Sequence, residues 1–149
     1  MKILMVCLGN ICRSPLAEGI LKSKSTSIII DSAGIAGYHI GKPPDIRSIE
    51  IANKFNIDLT NQRARQFSNN DFNDFDKIYA MDNDNYSKII SLAKNQAEIN
   101  KVDLILNETY PEEFKSVPDP YYGGEQGFED IFHLLDKACD IIANKYEKR

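Results

Sequence analysis

A chain of 149 residues that is 42% hydrophobic has the apolar content for one packed domain, expected to span residues 1–149. Its formal net charge of −4 leaves no basic excess to draw nucleic acid or an anionic membrane surface. Three cysteines are too few, and odd in number, for a disulfide scaffold; no run approaches the ~20 apolar residues of a membrane span, so a cytoplasmic protein is expected.

In chain order, the first apolar run of strand length covers residues 3–8, too short for a signal peptide and lacking a small-residue cleavage site. It ends in Cys7-Leu8-Gly9-Asn10-Ile11-Cys12-Arg13-Ser14. A helix is expected over 15–24, with Ser14 as its N-cap and Pro15 in the first turn. A strand over 27–31 follows, then a long connection carrying Tyr38, then a helix over 45–55. Asn69-Asn70-Asp71 reads as a polar turn before a strand over 76–81, a helix over 84–93 and a strand over 102–106. Residues 107–127 hold three prolines and three glycines and show no convincing element. The last helix, over 128–145, repeats apolar residues at helical spacing, with Cys139 on its buried stripe. Buried strands alternating with helices predict an α/β domain, a parallel sheet with helices on both faces.

The chemistry concentrates where the first strand ends. A thiol there, a loop containing Gly9 and Asn10, and a helix start behind it bring a sulfur and unpaired backbone N–H groups to one place. That field favours thiolate over thiol. Arg13 adds a permanent charge and a planar fork for two phosphate oxygens. The G-x-x-x-x-G-K-[ST] nucleotide loop is absent. A zinc site is not expected either, because Cys139, His39 and His133 stand in no ligand spacing with Cys7 and Cys12. Thiolate attack on a phosphate ester needs an acid for the leaving oxygen, and Asp119, between Pro118 and Pro120, is the best-placed acidic residue.

These residues resemble the low-molecular-weight protein tyrosine phosphatase family over essentially the whole chain. The resemblance rests on Val6 to Pro15 with Ala17-Glu18, Asp31-Ser32-Ala33, Pro43-Pro44-Asp45, Arg63-Ala64-Arg65-Gln66, Met81-Asp82 and Asp119-Pro120-Tyr121-Tyr122-Gly123. It implies a four-stranded, flavodoxin-like parallel sheet and a cofactor-free enzyme acting on phosphotyrosine-containing proteins. Cys7 would be the nucleophile, Arg13 the phosphate clamp and Asp119 the general acid. Leu8, Gly9, Asn10, Ile11, Cys12 and Ser14 would form the phosphate loop, supported by Ser32 and Asp82. Tyr38, Tyr121 and Tyr122 would wall the pocket, and Cys12 would be a disulfide partner for an oxidised Cys7. Vertebrate members carry a histidine where this chain has Gln62.

A monomer is expected, weak self-association being the alternative, with a cognate tyrosine kinase as a partner. Two alternatives share the scaffold. Arsenate reductases need a relay of further cysteines, and only Cys139 lies beyond the loop. Arginine phosphatases usually have threonine where this chain has Ile11, and a Phe-Gly pair in place of Tyr121-Tyr122. A phosphopeptide-binding module without catalysis would need the anion cradle but neither the thiol nor the acid.

Overall fold

Strand β1 (Lys2–Cys7) has Ile3, Leu4, Met5 and Val6 wholly buried, so both of its faces are covered. The computed structural model describes residues 1–120 and 123–147. β1 pairs in parallel with β2 (Ile29–Gly34) on one side and β3 (Lys77–Ala80) on the other; β4 (Val102–Leu104) lies outside β3, giving the order β2-β1-β3-β4. Side-chain alternation along β1 sorts residues into two cores. Ile3, Met5 and Cys7 join the apolar faces of α1 (Arg13–Lys24), α2 (Ile46–Lys54) and α6 (Gly124–Tyr146). Leu4 and Val6 face Phe67, Phe72 and Ile89, contributed by the chain around α3 (Asp71–Asp74) and by α4 (Asn83–Leu92). The expected four-stranded parallel sheet between helical layers is what the chain forms.

From the end of β1 the chain leaves towards β2 on one side, while β3 comes in on the other. Such a switch point is where open α/β sheets bind ligands, and Cys7 is the last residue of β1.

Several boundaries differ from expectation. Helix α1 starts at Arg13 with Cys12 as its N-cap, so Ser14 is inside the first turn and its hydroxyl bonds elsewhere. Strand β2 begins two residues late and runs on to Gly34, because it must pair with β1 through the register Cys7↔Gly34. Asp71, expected in a turn, opens α3 and is buried, its carboxylate gripped by Arg65. α5 (Gln96–Ile99) and a 3₁₀ turn at Ile105–Asn107 were not expected. Helix α6 starts at Gly124 and takes in Gly127 and Phe128, beginning four residues before the expected start. Cys139 is fully buried on the α6 stripe, its thiol donating to the Ala17 carbonyl.

Candidate active site

The segment after β1 folds as a cradle because two residues, one in the segment and one on β2, accept unusual demands. Asn10 sits at φ 58°, a left-handed conformation that asparagine tolerates better than most residues. Gly34 on β2 lies so near that a Cβ there would stand 2.9 Å from the Leu8 carbonyl oxygen and 3.0 Å from the Asn10 nitrogen. Glycine at that point lets strand and loop touch.

Hydrogen bonds then fix the direction of each group under the loop. The Arg65 backbone N–H donates to Asn10 Oδ1 at 3.0 Å, so the Asn10 amide can point only one way. Its Nδ2 donates to Ser14 Oγ at 2.8 Å and to Ser32 Oγ at 3.0 Å. The Ser32 hydroxyl in turn donates to the buried Glu18 carboxylate at 2.6 Å. Ser14 Oγ lies 3.0 Å from Cys7 Sγ; with Asn10 already donating to it, its own proton is available to the sulfur. Gln62 does not reach Asn10 by a hydrogen bond; its Nε2 donates to the Pro15 carbonyl.

Arg13 is held from behind. Its Nη1 donates to Asp82 Oδ2 at 2.7 Å and to the Val117 carbonyl at 2.9 Å. Asp82 uses its other oxygen to cap α4 through the Asn85 N–H. Val117 lies two residues before Asp119 and is itself anchored by donating its N–H to the Met81 carbonyl at 2.7 Å. The strand-end segment and the proline-stiffened loop are thereby fastened through one guanidinium.

The result is a depression of about 160 Å³. Cys7, Cys12, Arg13 and Asp119 reach it, and Leu8, Ile11 and Tyr38 supply apolar wall. Asn10, Ser14 and Ser32 lie under the loop, and Asp82 stands behind Arg13. Tyr121 and Tyr122, expected as further wall, lie outside the described residues. His39 also lines the depression, and Glu18, Arg65 and the Val117 carbonyl support it. Sequence reasoning missed these four; Glu18 and Arg65 stand within quoted motifs, but nothing local shows what they hold. The Cys12 thiol is pushed up to about 12 by burial and by the nearby charges of Asp45, Cys7 and Asp119. It therefore remains a thiol across the neutral range. Asp45 is held below the usual carboxylate range by its side-chain hydrogen bonds from Arg47. Among the described residues no group of three or more His, Cys, Asp or Glu side chains is arranged to hold a metal ion.

The sequence model of the low molecular weight phosphotyrosine protein phosphatases matches residues 2–149. The low molecular weight protein-tyrosine-phosphatase YfkJ of Bacillus subtilis is 39% identical, over 98% of this chain and 96% of that one. A crystal structure of a protein tyrosine phosphatase from Entamoeba histolytica superposes with a TM-score of 0.90, at 37% identity, covering 97% of this chain and 96% of the other. A Drosophila arginine phosphatase has the same fold, with a TM-score of 0.88 at 31% identity and 99% coverage of both chains. A match along the full chain, carried on a parallel sheet that delivers Cys7, Arg13 and Asp119 to one depression, assigns this chain to the low molecular weight phosphotyrosine protein phosphatase family.

Proposed function

We propose that the protein hydrolyses phosphotyrosine in proteins through a cysteinyl-phosphate intermediate, without a metal or cofactor. The observation that carries the reading is the convergence of Cys7, Arg13 and Asp119 on one depression floored by a helix start. The Cys7 sulfur attacks phosphorus in line, and the P–O bond to the tyrosyl oxygen breaks. Asp119 gives its proton to that oxygen, so tyrosine leaves neutral. Arg13 and loop N–H groups hold the equatorial phosphoryl oxygens while charge shifts. A water then attacks the cysteinyl-phosphate, Asp119 takes its proton, and Cys7 departs as thiolate with the Ser14 hydroxyl beside it.

Leu8, Ile11 and Tyr38 form an apolar slot suited to a planar ring, which favours phosphotyrosine over the short stem of phosphoserine. Likeness to an arginine phosphatase keeps phosphoarginine as the rival substrate; Ile11 and the flat wall favour the aromatic ester. Arsenate reduction is disfavoured because Cys139 is fully buried, far from the role of a mobile relay thiol. Phosphotyrosine-containing proteins are thus the proposed partners, met as a monomer in the cytoplasm alongside a cognate kinase. Among the described residues no helix is long and apolar enough to cross a membrane. Cys12, at the same depression, is the proposed disulfide partner of an oxidised Cys7.

The test is a panel of matched phosphotyrosine, phosphoserine and phosphoarginine peptides, assayed with chelator present. Phosphotyrosine should turn over fastest, Cys7→Ser should abolish turnover, and Asp119→Ala should lower kcat about 10²–10⁴-fold. Full activity in Cys7→Ser, or phosphoarginine as the preferred substrate, overturns the reading.

A further inference from the structure

Asp119 stands on a stiff arm, and the arm has a clasp. Pro118 and Pro120 flank it; each ring fixes its own φ and narrows the backbone of the residue before it, so Asp119 inherits its placement from Val117. Val117 is buried, bonded through its carbonyl to Arg13 and through its N–H to the Met81 carbonyl. Just upstream, Asn83, the first residue of α4, reaches across to the same loop. Its Nδ2 donates to the Phe114 carbonyl and to Ser116 Oγ, both at 3.0 Å. Its backbone N–H donates to the same Ser116 oxygen, also at 3.0 Å.

The clasped segment follows a path that its own residues disfavour. Phe114 has φ 53°, a left-handed backbone conformation that a bulky residue avoids, and Glu112 has φ 64°. Burial does not offset this, because Phe114 is 62% exposed. Its carbonyl is instead held by Asn83, a side chain from another element. Helix α4 does not need that amide, since Asp82 already caps its start. Two neighbouring residues at the junction of β3 and α4 thus fasten two parts of the site. Asp82 holds the guanidinium, and Asn83 holds the arm that carries the acid.

We propose that Asn83 and Ser116 are positioning residues for the general acid: their clasp sets the path of the loop so that Asp119 meets the leaving oxygen. The inference rests on the reading of Asp119 as proton donor and deepens it by naming what aims it. Neither side chain lines the depression, so both act through residues 114–119 rather than on substrate. A general acid must lie within hydrogen-bond reach of the atom it protonates, and a misplacement of about 1 Å can cost about 10²-fold. Arg13 keeps its tie to Asp82 when the clasp opens, so the phosphoryl group is still held. The loss therefore falls on proton transfer.

The experiment measures kcat/KM on two aryl phosphates that differ in their need for a proton. Phenyl phosphate expels a phenolate as basic as that of tyrosine, whereas the leaving group of dinitrophenyl phosphate departs unprotonated. Both give the same cysteinyl-phosphate, so the ratio of the two reads protonation of the leaving oxygen, and a general change in activity cancels. Asp119→Ala sets the scale and should lose far more on phenyl phosphate than on dinitrophenyl phosphate. Asn83→Asp keeps the shape and suits the first turn of a helix, but has no donor for the Phe114 carbonyl. Ser116→Ala removes the hydroxyl. Each should lose about tenfold on phenyl phosphate and less than about twofold on dinitrophenyl phosphate. Ser116→Thr, which keeps a hydroxyl, should behave as wild type. Added to Asp119→Ala, Asn83→Asp should leave the ratio unchanged, because no acid remains to be aimed. Equal losses on the two esters, no loss on either, or a further shift of the ratio in the Asp119→Ala background overturns the proposal. An Asp119→Ala variant that loses equally on both esters instead overturns the reading of Asp119 as the acid beneath it.

Discussion

At the residue scale, Asn10 shows how one side chain can organise a loop. Its oxygen is claimed by a backbone donor and its nitrogen by two serines, so each hydroxyl beneath the loop has a settled direction. Cys12 is the other residue whose surroundings fix its chemistry. Burial and the charges of Asp45, Cys7 and Asp119 keep it protonated up to about pH 12, so peroxide should react at Cys7 first. Oxidation would place a hydroxyl on the Cys7 sulfur. The Cys12 sulfur then displaces it, the Cys12 proton leaves with the hydroxide as water, and a disulfide remains. After peroxide treatment, dithiothreitol should restore activity in the wild type and restore much less in Cys12→Ser, with a linked loop peptide seen by mass spectrometry only in the wild type. Equal recovery in both proteins, with no linked peptide, would mean that Cys12 only fills space.

At the scale of elements, Asp82 joins two jobs at the junction of β3 and α4. One oxygen caps α4 and the other holds Arg13. Asparagine is as good an N-cap as aspartate, so Asp82→Asn separates the jobs. The variant should unfold within about 1 kcal/mol of wild type. It should still lose about tenfold or more in kcat/KM, because Arg13 loses a charge-assisted partner and its fixed position. Urea unfolding and phosphatase assays on one preparation check both halves. Equal loss in stability and activity would show that the cap, not the guanidinium, is what Asp82 serves.

At the scale of the molecule, titrating groups set both edges of the stability curve. Burial raises the Cys12 and Cys139 thiols and the Tyr79 phenol, the last with help from Glu108. The folded chain holds these protons more tightly than the unfolded one. Their contribution is complete below the unfolded values, about 8.5 for a thiol and about 10 for a phenol. It is lost as pH rises towards the folded values. Asp45, lowered by Arg47, acts at the other edge: its contribution is present above about 3.9 and is lost as pH falls through the depressed folded value. Urea midpoints should therefore fall above about pH 8.5. In Cys12→Ala the fall should be shallower, whatever the variant's stability at neutral pH, and parallel curves would refute the assignment.

Much of this molecule was legible in the sequence because its signals are local. The continuous apolar run of β1 marks a strand buried on both faces, and the stripe from Phe128 to Ile142 marks a helix facing the core. The thiol, the left-handed Asn10 and Arg13 lie within one short loop, so spacing alone brings them together. What tertiary structure decided lies between segments distant along the chain. Arg65 reaches Asn10 across 55 residues, and the Val117 carbonyl reaches Arg13 across 104. His39 comes to the depression only because its turn is tied to Ala64. The Ser14 hydroxyl left the capping position expected of it because it accepts from Asn10 and faces the sulfur, partners that meet it only once the loop has closed. Local propensity and spacing determined which residues could do chemistry and on what kind of sheet; long-range hydrogen bonds, which no window of sequence contains, decided how those residues are aimed.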